Sequence, residues 1–284
     1  MKNSAILLLT CPDRKGLVAT ISDFVFRHGG NILHADEHGD EASGLFLMRV
    51  EFDPKEFDVP MDQFATHFSP IAQKYQMDWR LAQPNYRPRM LVMVSKYDHC
   101  LVDLLYRHRG GELACEIPLI ISNHPDSQPI ADFYHIPFTV APISKEAPRD
   151  SWERISRLLR QHNPDFIVLA RYMQILPPHF VSEYPRRIIN IHHSFLPAFV
   201  GAKPYHQAFH RGVKLIGATS HYVTEVLDDG PIIEQDVVRI SHRDSLDDLL
   251  QKGRDLEKVV LSRAVRWHIE SRVLVYGNKT VVFT

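Results

Sequence analysis

Beyond residue 88 the chain alternates short, densely apolar runs with amphipathic helical stretches, and that alternation leaves few folds open. Residues 90–95 read as an apolar strand followed by a helix to about residue 108. Residues 117–122 form another strand, 151–161 a helix, and 166–169 and 188–191 short buried strands. Strands that are apolar on both faces and separated by helices build a mostly parallel, doubly wound α/β sheet, because each crossover helix covers a sheet face. Residues 214–223 and 231–240 read as longer strands, Ser245 caps a helix to about residue 270, and 272–284 alternates apolar β residues.

The first 82 residues follow a different order. A strand over 4–10 leads through Asp13-Arg14-Lys15-Gly16 into a helix carrying Leu17, Val18, Ile21, Phe24 and Val25 at helical spacing. His28-Gly29-Gly30-Asn31 stops it. Strands over 32–38 and 45–52, a helix over 61–76 and a strand over 77–82 complete a ferredoxin-like βαββαβ unit. Gln83-Pro84-Asn85-Tyr86-Arg87-Pro88 reads as a linker, since two prolines in five residues break both helix and ladder. The expected division is 1–82, linker 83–88, and 89–284, which suits a chain of 284 residues.

Composition excludes several classes. Lys and Arg number 33 against 34 Asp and Glu, so the chain lacks the basic footprint of a nucleic-acid binder. The three cysteines, Cys11, Cys100 and Cys115, are widely spaced, so neither a disulfide framework nor a zinc ribbon is expected, and a reducing cytoplasm fits. No run approaches the roughly 18 apolar residues of a membrane span, and the apolar start at 5–9 is shorter than a signal-peptide core.

Two segments carry candidate chemistry. Asn190-Ile191-His192-His193-Ser194-Phe195-Leu196-Pro197 begins at the C-terminal end of an expected parallel strand, where open α/β sheets bind ligands. Asn190 and His192 share a face by the two-residue strand period, and an amide beside an imidazole can stabilise an oxyanion. The same residues could instead satisfy loop backbone. Thr219 to Pro231 is a polar, turn-rich stretch with His221, Glu225, Asp228, Asp229 and a Gly230-Pro231 stop. It reads either as a solvated acidic hairpin or as a loop positioning a carboxylate, which beside an imidazole favours the protonated ring.

Other chemistries find less support. His192 and His193 are expected to point to opposite faces, which argues against a shared metal. His206 and His210 have the i, i+4 spacing of a zincin pair without its glutamate. No Gly-x-Ser-x-Gly elbow and no Walker A sequence occurs. Cys100 opens a helix, where a dipole could activate a thiol, but a buried structural cysteine is the plainer reading. The first turn of the larger unit, Ser95-Lys96-Tyr97-Asp98-His99-Cys100, lacks the glycines of a dinucleotide fingerprint.

Asn190-Ile191-His192 with Ser194-x-Leu196-Pro197, followed by Leu227-Asp228-x-Gly230-Pro231, resembles the formyltetrahydrofolate-dependent formyltransferase family over residues 88–284. The resemblance implies that Asn190, His192 and Asp228 are the catalytic set. It also implies that Met173, Gln174, Ile175, Leu176, His221 and Leu227 bind substrate, and that neither a metal nor another cofactor is required. Residues 1–82, through Pro12-Asp13-Arg14-x-Gly16-Leu17-Val18, resemble an ACT domain. That resemblance implies an amino-acid effector, with Asp13, Gly16 and Asn31 as candidate contacts, and a homo-oligomer. An ACT domain before such a catalytic half, with Ser95-Lys96-x-x-His99-Cys100-Leu101 and the stretch from His192 to Phe199, resembles the deformylase branch of the family. The implied activity is hydrolysis of 10-formyltetrahydrofolate to formate and tetrahydrofolate, feeding purine and one-carbon metabolism. Formyl transfer to an amine, or a non-catalytic folate- or amino-acid-binding regulator, are the alternatives.

Overall fold

The computed structural model describes residues 3–198 and 204–284. The chain divides into two compact units, one of Met1–Tyr86 with Glu270–Thr284, the other of Arg87–Ile269.

In the first unit β1 (Ala5–Pro12), α1 (Leu17–Arg27), β2 (Asn31–Asp40), β3 (Leu45–Asp53), α2 (Phe64–Tyr75) and β4 (Asp78–Ala82) follow the expected βαββαβ order. The strands form an antiparallel sheet in the order β2-β3-β1-β4. The side-chain alternation of β1 explains the packing. Leu7 and Leu9 face one core with Ile21 and Phe24 of α1 and Phe64 and Phe68 of α2. Leu8 belongs to a second cluster with Leu47 and Phe283.

The second unit contains β5 (Met90–Val94), α3 (His99–Arg109), β6 (Ile120–Ser122), α4 (Gln128–Phe133) and β7 (Phe138–Val140). It continues through α5 (Pro148–His162), β8 (Phe166–Ala170), α6 (Pro178–Glu183), β9 (Ile188–His192), α7 (Pro204–Arg211), β10 (Leu215–Tyr222), β11 (Ile232–Arg239) and α8 (Leu246–Ile269). Its sheet runs β11-β10-β9-β8-β5-β6-β7. The five strands from β9 to β7 are parallel, whereas β10 is antiparallel to both neighbours. Chain order reverses between β5 and β8, the switch point at which ligands bind beyond the strand ends. Ser245 caps α8 as expected: its Oγ accepts from the Asp248 N–H at 3.2 Å while the Asp248 carboxylate accepts from the Ser245 N–H at 2.8 Å.

One boundary differs from the sequence reading. The alternating β residues after 271 form a hairpin, β12 (Val273–Tyr276) and β13 (Lys279–Val282), that belongs to the first unit, so the second unit ends at Ile269. Leu274, Tyr276, Val281 and Phe283 cover Leu8 and Leu47, closing the sheet face that the helices leave open. Buried Arg49 secures the turn into the hairpin by donating to the Ser271 carbonyl at 3.0 Å and to Glu51 at 2.9 Å.

Candidate active site

Beyond the ends of β5, β8 and β9 lies a cavity of about 630 Å³, lined entirely by the second unit. Strand register assembles its catalytic end. Asn190 and His192 alternate onto one face of β9, and antiparallel β10 places His221 opposite Asn190 and Thr219 opposite His192. The chain then turns through Asp228, a non-glycine residue at φ 56°, to Gly230. A Cβ on Gly230 would overlap the Tyr222 carbonyl and lie 3.3 Å from the His221 ring, so glycine permits the close approach that delivers Asp228.

The resulting constellation is buried and directional. His192 Nδ1 lies 3.3 Å from Asp228 Oδ2, and His221 Nε2 lies 3.8 Å from Asp228 Oδ1. His221 Nδ1 meets the Tyr222 carbonyl at 3.0 Å, which can only accept, so the proton belongs on Nδ1. His221 Nε2 then accepts from Asn190 Nδ2 at 3.2 Å, which fixes the orientation of the amide. Burial lowers the His221 pKa, against the opposing Tyr222 hydrogen bond and Asp228 charge, favouring this neutral form. Burial pushes the Asp228 pKa up, but the hydrogen bond and charge of His192, with His221 and His193, outweigh it and hold the carboxyl below its ordinary value. His192 Nε2 is buried without a hydrogen-bond partner among the described residues. Such an orphan requires an explanation, and a ligand atom in the cavity provides one.

The loop after His192 is held from the sheet. The Thr219 hydroxyl donates to the Ser194 carbonyl at 2.8 Å and accepts from the Leu196 N–H at 3.0 Å and Gln235 Nε2 at 2.9 Å. Met173, Gln174, Ile175 and Leu176 form an irregular run lining the cavity, and Val223 and Leu227 line it as well. Ser95 anchors that run by accepting from the Met173 N–H at 3.0 Å while donating to Asn123 at 2.7 Å. A flat heterocycle suits this arrangement, with exposed Met173, Ile175 and Leu227 as apolar surface and non-ladder backbone for hydrogen bonds.

All nine expected catalytic and substrate-contacting residues therefore line one cavity. The expected effector contacts do not converge. Asp13 and Gly16 lie between β1 and α1, but α1 carries the chain back, so Asn31 pairs opposite Asp53 while Pro12 pairs opposite Leu45. Asn31 is thus at the far end of the sheet, and no single site within one chain holds all three. His193 also departs from expectation. β9 ends at His192, strand alternation stops there, and both imidazoles line the cavity with ring centroids 5.3 Å apart. Cys100 is fully buried, and desolvation drives its thiol pKa well up despite its place in the first turn of α3. Phe199 lies outside the described residues.

At the polar end of the cavity the sequence singled out only His99, within the deformylase-like turn, and gave no sign of its partners. Buried Glu257 on α8 meets His99 Nε2 at 2.8 Å, the Tyr205 hydroxyl at 2.8 Å and Arg171 Nε at 3.4 Å. Burial raises the Glu257 pKa, yet the His99 hydrogen bond, the Arg171 charge and the Tyr205 hydroxyl together bring it below the usual value. His99, Cys100 and Glu257 are close enough to offer three ligand atoms, but Glu257 is already bonded and the thiol is protonated, a poor donor set for a metal. Among the described residues no helix is long and apolar enough to cross a membrane.

The formyl transferase family profile matches residues 88–265. A formyltetrahydrofolate deformylase of Synechocystis sp. is 55% identical over 280 residues, covering 99% of this chain and 98% of its own. The crystal structure of a formyltetrahydrofolate deformylase from Pseudomonas syringae pv. tomato superposes with a TM-score of 0.98 at 50% identity, over 100% of this chain and 95% of that one. A glycinamide ribonucleotide transformylase from Symbiobacterium toebii matches 70% of this chain and 95% of its own, with a TM-score of 0.66 at 28% identity. Full-length likeness to the first two, together with a formyl transferase half that holds the Asn190, His192 and Asp228 constellation, makes this chain a member of the formyltetrahydrofolate deformylase family.

Proposed function

We propose that the chain hydrolyses 10-formyltetrahydrofolate to formate and tetrahydrofolate, with Asn190, His192 and Asp228 as the catalytic residues. The observation that carries the reading is the buried His192–Asp228 pair, whose unpartnered Nε2 meets the cavity beside the Asn190 amide. The pterin ring lies along residues 173–176, with Leu227 over it and the N10 formyl group toward His192. Ionised Asp228 orients a water and takes one of its protons as the water oxygen bonds to the formyl carbon. The former carbonyl oxygen gathers negative charge between His192 Nε2–H and Asn190 Nδ2–H, donors already in place and shielded from solvent. Collapse breaks the carbon–N10 bond, the electron pair and a proton go to N10, and formic acid ionises to formate. His221 positions Asn190. The formyl group is already an activated acyl donor, so no redox or metal chemistry is required.

Hydrolysis is favoured over transfer because the likeness to deformylases spans the whole chain, whereas the transformylase match spans only 70% of it. The test is release of tetrahydrofolate and formate from 10-formyltetrahydrofolate with a chelator present and no acceptor added. Equal, multiple-turnover release supports the reading; release that requires an added amine refutes it.

The first unit fits a regulatory and oligomerising role. β2 is an edge strand paired only with β3 and exposed along most of its length, the arrangement that invites pairing with a second copy. An amino-acid effector would then bind where two such units meet, and equilibrium sedimentation with and without amino acids tests this. Three buried, free cysteines accord with a cytoplasmic setting, where the released formate would enter one-carbon supply for purine synthesis.

A further inference from the structure

The hydrolysis proposed above yields an anion inside the cavity, and the polar end of that cavity holds a cation with unused donors. Arg171 follows β8 at φ 62°, in the left-handed region that favours glycine, although its side chain is only 10% exposed. Its Nε and Nη1 atoms are buried and have no hydrogen-bond partner among the described residues. Burying a guanidinium without hydrogen bonds is costly, and a non-glycine residue at this φ adds to the cost. Arg171 therefore sits against both backbone preference and desolvation.

Its surroundings locate it without using up its donors. Glu257 Oε2 lies 3.4 Å from Nε, within ion-pair range, but that carboxylate already accepts from His99 at Oε2 and from Tyr205 at Oε1. The Tyr97 ring lies 5.6 Å from the guanidinium carbon. Gly253 enables the arrangement, because a Cβ there would collide with the Tyr205 ring that braces Glu257. The Arg171 charge is felt at the reacting end: after burial it is the main reason that the His193 pKa is lowered, and His193 adjoins His192.

We propose that Arg171 forms a subsite for a small carboxylate, receiving formate through its free N–H donors as the product leaves His192 and Asn190. The proposal rests on the hydrolytic reading for its natural ligand but not for its chemistry. A planar carboxylate matches a guanidinium edge, and water exclusion strengthens the pairing. Glu257 offsets the guanidinium charge and so keeps the anion weakly held, as a product must be.

The test titrates sodium formate calorimetrically into the full-length, substrate-free protein, against sodium chloride at matched ionic strength, and in parallel measures formate inhibition of tetrahydrofolate release. The expected result is saturable formate binding that Arg171→Gly weakens about tenfold or more, the worth of a lost charge-assisted hydrogen bond. Arg171→Lys, which keeps the charge but loses the planar fork, falls between them. Glycine accepts the backbone at this position, and tetrahydrofolate binding checks that each variant is folded. Should the glycine variant be unstable, the ordering of parent above lysine decides. Formate binding that is absent from the parent, matched by chloride or unchanged in the variants overturns the subsite even if hydrolysis proceeds. Arg171-dependent formate binding by a chain that does not hydrolyse the folate retains the subsite and refutes the activity instead.

Discussion

At the scale of single residues, the chemistry depends on which nitrogen of each histidine is occupied. His192 gives Nδ1 to Asp228 and keeps Nε2 for the substrate, so His192→Ala removes the donor and Asp228→Asn removes the charge that orients it. Loss of one oxyanion donor costs about 2.7–4 kcal/mol in the transition state, so kcat should fall about a hundredfold or more in each variant. Tetrahydrofolate affinity and melting temperature should change little; near-parental kcat in either variant would remove that residue from the mechanism. His193 makes a different prediction. Its pKa is lowered from 6.5 to about 3 in the folded chain, mainly by burial and then by Arg171. Between those values the unfolded chain binds the proton and the folded one does not, so stability is complete above pH 6.5 and declines as pH falls toward 3. Melting temperatures across that window should fall less steeply for His193→Gln than for the parent. A slope equal to the parent's would show that His193 does not carry the effect.

Among the elements, β9 and its neighbours show what the sequence made legible. The two-residue period placed Asn190 with His192, because local spacing carries that information, whereas the polar segment from Thr219 to Pro231 offered Glu225, Asp228 and Asp229 and only the family resemblance singled out Asp228. The Gly230 requirement is equally local: Gly230→Ala should force β10 and the following turn apart, costing about 1–3 kcal/mol of stability and lowering kcat by displacing Asp228, read by calorimetry and turnover. Ser245→Ala provides a contrast, costing about 1 kcal/mol at the α8 cap without changing kcat. At the polar end of the cavity only His99 was legible, and its partners were not. His99 and Glu257 are 158 residues apart, and Tyr205 and Arg171 arrive from α7 and the end of β8. No periodicity links four elements that meet only when the sheet closes. Even the left-handed backbone at Arg171 leaves no local mark, since an arginine after a strand reads as an ordinary surface residue.

In the molecule as a whole, the C-terminal hairpin shows the same limit. Its alternating apolar residues identified strands, but not the sheet face they cover, and proximity in sequence suggested the wrong unit. The continuous apolar run of β1 and the burial of β3 on both faces were the available sign that the first sheet needs two covers. Truncation after Ile269 should therefore expose Leu8 and Leu47 and destabilise the first unit, visible as an earlier or lost melting transition. Arg49→Ala, which removes the hydrogen bond to the Ser271 carbonyl and one charged partner of Glu51, should cost about 1–3 kcal/mol. Hydrolysis and transfer differ in where the formyl group goes, and a turnover in oxygen-18 water follows it. Formate carrying one solvent-derived oxygen, formed in equal amount with tetrahydrofolate and without any amine, is the predicted result. Tetrahydrofolate released only when an amine is supplied, with the formyl group recovered on that amine, would contradict it.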